Sequence, residues 1–69
     1  MGEVKVTLED MKVFSRVARD RSFSKAAAAL GVAQPSVSTR MMALERDLGV
    51  SLFERHHRGV TLTPAGDAL

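Results

Sequence analysis

The stretch from Arg21 to Leu44 constrains the fold of this 69-residue chain most strongly, because it combines a helical pattern with an unusual charge pattern. Its 24 residues contain three basic side chains and no Asp or Glu. Four consecutive alanines indicate a helix that ends at Gly31, and Pro35 suits the first turn of a following helix. The stretch therefore predicts two helices joined by a tight turn, with an exposed face that can lie against a polyanion without charge repulsion.

Length and composition exclude several classes of protein. Sixty-nine residues make one small domain, whose core contributes only about 3–5 kcal/mol net, so dimerisation or a longer parent chain would help it. The chain has no cysteine, which excludes disulfides and thiolate metal sites. No apolar run approaches the roughly 18 residues of a bilayer span, and there is no signal-peptide pattern. We therefore expect a cytoplasmic protein without membrane contact.

The segment after residue 6 predicts a first helix with two apolar sides. Thr7 is the expected N-cap, and Asp10 stands where a capping box has its acid. The two stripes are Leu8, Met11, Phe14 and Ala18 on one side, and Val13 and Val17 on roughly the opposite side. A helix that is apolar on two sides needs two neighbours, so helix 1 is expected to contact a C-terminal helix or a second subunit. The alternative is that the two valines are simply exposed.

Serines, glycines and a proline set the expected bounds of the next two helices. Ser24 is the predicted N-cap of helix 2, and Phe23 before it is expected to fill the core. Val32 is expected to anchor the turn in the core. Helix 3 is predicted to begin near Gln34 and to end at Gly49.

After helix 3 the pattern becomes compatible with strands. Residues 52–54 and 60–62 predict a β-hairpin with a basic tip, and Thr63 is placed to cap a further helix that the chain end interrupts. The predicted fold class is mostly α with a small β-hairpin, a winged helix-turn-helix. We expect residues 1–62 to form this domain and residues 63–69 to begin a further, truncated helix.

Helical geometry divides helix 3 into a buried and an exposed side. With Val37 pointing inward, the buried side also holds Met41, Leu44 and Leu48. Only the N-terminal part of such a helix normally approaches base edges. The predicted base-contacting residues are Gln34, Pro35, Ser38, Thr39 and Met42. The amide of Gln34 suits adenine, whereas Pro35 and the Thr39 methyl suit thymine methyl groups.

A second set of side chains is predicted to contact the DNA backbone. The set comprises Ser24, Lys25, Ser36, Arg40, Arg55 and Arg58. Ser24 stands at a helix start, where backbone N–H groups favour a phosphate. Arg40 lies on the flank of helix 3 and suits a phosphate better than a base. Arg55 and Arg58 in the hairpin could follow the backbone or enter a minor groove. For these arginines, a solvated surface position is the alternative.

Other functions find little support in the sequence. His56 and His57 are neighbours on a predicted strand and face opposite sides, and no other ligand stands at a suitable spacing, so no metal site is expected. No carboxylate pair or nucleophile with a base indicates an enzyme, and no cofactor is expected in this chain. The alternative to DNA binding is a helix-turn-helix that binds protein. That function predicts an apolar or acidic face on helix 3, whereas the predicted face is polar and has Glu45 as its one carboxylate.

Residues 8–66 resemble the N-terminal DNA-binding domain of LysR-type transcriptional regulators. The elements that carry the resemblance are QPSVS at 34–38, LE and LG at 44–49, LFER at 52–55 and LTPAG at 62–66. The resemblance implies a bacterial regulator that binds double-stranded DNA as a homodimer, with higher oligomers in the full-length protein. It implies that residues 63–69 begin a linker helix and that this helix and helix 1 pair the two subunits. It also implies a C-terminal domain that binds a small inducer. Gln34, Pro35 and Ser38 match the family's base- and phosphate-contacting positions, and Ser24 and Arg55 match its backbone contacts.

Three positions depart from the pattern of that family. Thr39 stands where an arginine is usual, Met42 where a basic residue is frequent, and Ala33 where a serine commonly caps helix 3. The missing cap removes about 1 kcal/mol of helix stability. Our hypothesis is that this helix favours thymine methyl groups more, and guanine less, than its relatives do.

Overall fold

The computed structural model describes residues 6–69, which form four helices and a two-stranded antiparallel sheet. In chain order the elements are α1 (Leu8–Asp20), α2 (Phe23–Leu30), α3 (Gln34–Leu48), β1 (Phe53–His56), β2 (Gly59–Leu62) and α4 (Pro64–Ala68). The two strands pair from Phe53 opposite Leu62 to His56 opposite Gly59. This order confirms the predicted winged helix-turn-helix, in which the hairpin β1–β2 is the wing.

The helix starts agree with the sequence at α1 and differ at α2. The Thr7 hydroxyl accepts from the Asp10 N–H at 3.1 Å, and the Asp10 carboxylate accepts from the Thr7 N–H at 3.2 Å, so the capping box is confirmed. Ser24 is not the N-cap of α2. Ser22 fills that role and accepts from the Lys25 N–H at 3.1 Å. The N-cap therefore lies two residues earlier than predicted, and Phe23, the first residue of the helix, still reaches the core.

The core lies between the first three helices and the base of the wing. Its buried members are Val13, Phe14, Val17, Phe23, Ala26, Ala27, Val37, Met41, Leu44, Leu52, Phe53 and Val60. The Phe53 ring lies 5.4 Å from that of Phe14 and 5.6 Å from that of Phe23, measured between centroids. The wing thus contributes an aromatic side chain to a helical core.

Apolar residues of α1 and of the turn after α2 differ from their predicted burial. Val13 and Val17 face the core together with Phe14, so the prediction that these valines lie on the opposite side of α1 was wrong. Leu8, from the other predicted stripe, is 75% exposed. Val32 is 47% exposed and does not anchor the turn in the core. The turn is closed by the backbone instead, because Gly31 is left-handed and the Val32 N–H donates to the Ala27 carbonyl at 3.0 Å.

Backbone contacts fix the wing to the helices. Arg21, which follows α1, has a left-handed backbone, and its carbonyl accepts from the Val60 N–H at 3.1 Å. At the base of the wing, the Thr63 N–H donates to the Leu52 carbonyl at 3.0 Å, which joins the two segments that flank the strands. The Thr63 hydroxyl also caps α4 by accepting from the Gly66 N–H, as predicted.

Candidate nucleic-acid interface

The exposed side of α3 displays the side chains that were predicted to meet base edges. Pro35, Thr39 and Met42 are exposed and Ser38 is half-buried. Val37, Met41 and Leu44 point the other way, into the core. The division of the helix into two sides is therefore confirmed, whereas the base contacts themselves stay predictions.

An intrahelical hydrogen bond orients the first of these side chains. The Gln34 Nε2 atom donates to the Ser38 hydroxyl at 3.3 Å, one helical turn further along. The bond turns the amide so that Nε2 faces Ser38 and leaves Oε1 on the other side. An amide held in this way can accept from the N6–H of adenine and donate its second Nε2 hydrogen to N7.

The wing, the start of α2 and the start of α3 together line one cleft of about 370 Å³. Of the predicted contacts it contains Ser24, Gln34, Arg55 and Arg58, which are distant in sequence. The Arg55 guanidinium lies 4.7 Å from the centroid of the Phe23 ring, a cation–π contact that keeps this cation at the wall of the cleft. The cleft offers cations and hydroxyls together, which suits phosphate oxygens.

Arg40, in contrast, lies on the side of α3 that faces α1. Its Nη1 atom donates to the Asp10 Oδ1 atom at 2.9 Å. Burial alone would raise the pKa of Asp10, but hydrogen bonds from the Thr7 backbone N–H and the Arg40 guanidinium outweigh it and hold this pKa below its ordinary value. The phosphate contact of Arg40 stays a prediction, and its guanidinium here is bound to a carboxylate.

The carboxylate of Glu45 does not lie on the exposed face of α3, although it was predicted there. Its Oε2 atom accepts from the backbone N–H of Leu52 at 2.7 Å and from that of Phe53 at 3.2 Å. Glu45 therefore ties the C-terminal half of α3 to the first residues of the wing. Sequence reasoning missed this role because the partners are backbone groups, although a glutamate shortly before a strand was visible.

Replacing Glu45 with alanine is expected to lower the free energy of unfolding by about 1.5–3 kcal/mol, because two partly buried N–H groups lose a charged acceptor. Urea unfolding followed by circular dichroism measures this change. Glu54→Ala is the control, since Glu54 is an exposed carboxylate on β1. Equal stability of the two variants would show that the Glu45 hydrogen bonds contribute nothing net.

The two wing histidines, His56 and His57, line the same cleft as Arg55 and Arg58. The His56 Nε2 atom and the Thr61 hydroxyl are 3.0 Å apart, within hydrogen-bond distance across the wing. Among residues 6–69, no three His, Asp or Glu side chains are grouped as metal ligands. In that same range, no helix is long and apolar enough to cross a membrane.

The fold and this face define a DNA-binding winged helix-turn-helix. Residues 8–67 match the family of bacterial regulatory helix-turn-helix proteins called lysR. The chain belongs to this family, whose members are transcriptional regulators.

Individual relatives and solved structures agree with this family. The chain is 52% identical over 60 residues to the transcriptional regulator YofA of Bacillus velezensis, covering 87% of this chain and 21% of YofA. It is 42% identical over 69 residues to a probable RuBisCO transcriptional regulator of Porphyra purpurea, covering 100% of this chain and 22% of that protein. The CbnR DNA-binding domain in complex with DNA superposes with a TM-score of 0.88 at 46% identity, covering 91% of this chain and 72% of that one. The chain thus spans about a fifth of the length of these curated relatives.

Proposed function

We propose that this chain binds double-stranded DNA sequence-specifically, with α3 in the major groove and the wing on the backbone or in a minor groove. The observation that carries the proposal is that exposed Gln34 and Thr39 and half-buried Ser38 share the outer side of α3, beside a cleft that Gln34, Arg55 and Arg58 line. A helix-turn-helix used for protein contacts would present an apolar or acidic α3 face. With Glu45 turned toward backbone amides, the residues proposed to contact bases include no carboxylate.

The proposed contacts fall into two groups with different consequences. Gln34, Pro35, Ser38, Thr39 and Met42 are proposed to contact base edges, and Ser24, Lys25, Ser36, Arg55 and Arg58 the phosphates. Arg40 was also predicted to contact a phosphate, but in this structure it is bound to Asp10. Base contacts determine sequence preference, whereas phosphate contacts determine affinity and its salt dependence. Each phosphate neutralised by a cation adds about 0.9 to the slope of log affinity against log salt.

Selection of bound duplexes from a random pool tests this function directly. We expect one enriched motif, with A·T pairs opposite Gln34 and Thr39. Affinity for that motif should fall steeply with salt, in proportion to the number of phosphates contacted. Absence of an enriched motif, together with salt-independent or undetectable binding, would favour the protein-binding alternative.

Thr39→Arg tests which base this position recognises. Arginine binds the O6 and N7 atoms of guanine bidentately, a contact that discriminates by about 1–3 kcal/mol. The variant should therefore select a guanine where the original chain selects thymine. Thr39→Ser keeps the hydroxyl but lacks the methyl group, so it should weaken the thymine preference without creating a guanine requirement. A guanine requirement opposite Thr39 in the original chain would contradict the hypothesis.

Most of each relative's length lies outside the region that matches this chain, and this supports a wider proposal. We propose that α4 is the start of a linker helix, that two subunits pair through α1 and this linker, and that a C-terminal domain binds a small inducer. Higher oligomers in the full-length protein belong to the same proposal. Support comes from the relatives' greater length and from the exposed apolar side chain of Leu8 on α1. A regulator of this kind acts without enzymatic activity, in the cytoplasm of a bacterial cell.

A further inference from the structure

We infer that Asp10 is a positioning residue for DNA binding. Its carboxylate, on α1, binds the guanidinium of Arg40 from α3 and keeps it away from the DNA backbone. The inference rests on the proposed function, because it concerns one cation next to the base-contacting face. The sequence predicts that Arg40 binds a phosphate. The structure instead gives it a partner 30 residues earlier in the chain.

The carboxylate of Asp10 is anchored from two sides. Its Oδ2 atom accepts from the Thr7 N–H, and its Oδ1 atom accepts from Arg40 Nη1 at 2.9 Å. Only 15% of the Asp10 side chain is exposed, compared with 43% of the Arg40 side chain. The carboxylate is thus the fixed partner, and the arginine reaches to it from α3.

This ion pair leaves the base-contacting half of α3 without a free cation. Between residues 34 and 42, Arg40 is the one charged residue in the sequence. With Arg40 bound to Asp10, recognition depends on an amide, hydroxyl groups and apolar groups. The backbone contacts then come mainly from Lys25, Arg55 and Arg58, on α2 and the wing.

A half-exposed ion pair stabilises a protein only slightly, so the pair alone would not hold Arg40 against a nearby phosphate. The capping box adds a second restraint. If Arg40 moved to a phosphate, the Asp10 carboxylate would remain in place, held by Thr7, as an unpaired negative charge within reach of the same arginine side chain. The attraction of that charge for Arg40 opposes the transfer, so the two residues stay together as an electrically neutral pair.

Three variants and one control test the inference by their DNA affinity and its salt dependence. Each is measured on the duplex that the original chain selects and on an unrelated duplex. The variants are Asp10→Asn, Arg40→Gln and the two combined. The combined variant replaces one neutral pair by another. Glu9→Gln is the matched control, since it removes a carboxylate from the same turn of α1 without freeing Arg40. Asparagine can still accept from the Thr7 N–H, and thermal unfolding checks that each variant is folded.

The combined variant should bind like the original chain, within about twofold and with the same salt slope. Asp10→Asn should bind about three- to tenfold more tightly, with a slope steeper by about 0.9, because the freed arginine reaches a phosphate. The gain should be equal on both duplexes, since phosphate contacts carry no sequence information. Glu9→Gln should leave the slope unchanged, and Arg40→Gln should weaken binding by exposing the Asp10 charge.

Two results would overturn the inference. If the combined variant binds about tenfold more weakly with a slope lower by about 0.9, Arg40 binds a phosphate in the original complex. If Asp10→Asn has the same affinity and salt slope as Glu9→Gln, the ion pair does not keep Arg40 away from the DNA backbone. Failure of the original chain to bind either duplex in a salt-dependent way would instead contradict the proposed function, so the two failures are distinguishable.

Discussion

Phe53→Ala is expected to leave the domain largely unfolded. Removing a buried phenylalanine side chain costs about 3–5 kcal/mol, as much as the whole net stability of a core this small. Phe53 is 6% exposed and packs against Phe14 and Phe23, so its loss leaves a cavity between the wing and the helices. Far-ultraviolet circular dichroism during urea unfolding measures the effect, because the chain has no Trp or Tyr for fluorescence.

Phe53→Ala is also expected to weaken DNA binding. The Phe23 ring that supports the Arg55 guanidinium is itself packed edge-on against Phe53. Any Phe53→Ala protein that remains folded should therefore hold Arg55 less firmly and bind DNA more weakly. For protein stability alone, Met42→Ala is the control, because Met42 is 58% exposed and its truncation should change the free energy of unfolding by less than about 0.5 kcal/mol. Comparable stability losses for the two variants would disprove a core role for Phe53.

Local signals in the sequence were sufficient for most of the fold. Capping by Thr7 and Thr63, termination at Gly31 and Gly49, and the spacing of the α3 core depend on residues within a few positions of one another. Such short-range preferences act independently of the rest of the chain. For this reason the order of the elements and the two sides of α3 could be predicted from the residues alone.

Some predictions failed because two neighbouring residues could each cap the helix, and others because the hydrogen-bond partner is distant in the sequence. Ser22 and Ser24 are both good caps, and the burial of Phe23, a tertiary effect, favours the earlier one. Glu45 and Arg40 could each have been solvated, but each found a partner on another element. A pattern within one helix shows which side a residue lies on but does not identify the group opposite.

Gly59→Ala should detach the wing from the helices while the same substitution at Gly49 should not. Gly59 has φ +134°, and a Cβ atom there would overlap the Arg21 carbonyl oxygen, which accepts from the Val60 N–H. Strain and overlap together are expected to cost about 2–4 kcal/mol. Gly49 also has a positive φ, of +73°, but no atom lies within 4 Å of its Cβ position, so Gly49→Ala should cost only about 1–2 kcal/mol.

Both alanines bear a penalty for a positive φ, and the penalty is larger at +134° than at +73°, so the change in DNA affinity rather than the difference in stability tests the contact between the wing and Arg21. Loss of that contact should displace Arg55 and Arg58 and lower DNA affinity about tenfold or more, with a shallower salt slope. Gly49→Ala should have the same salt slope as the original chain, because Gly49, at the C-terminal end of α3, does not line the cleft. Should both variants lose the same stability and the same affinity, the position of the wing does not depend on its backbone contact with Arg21.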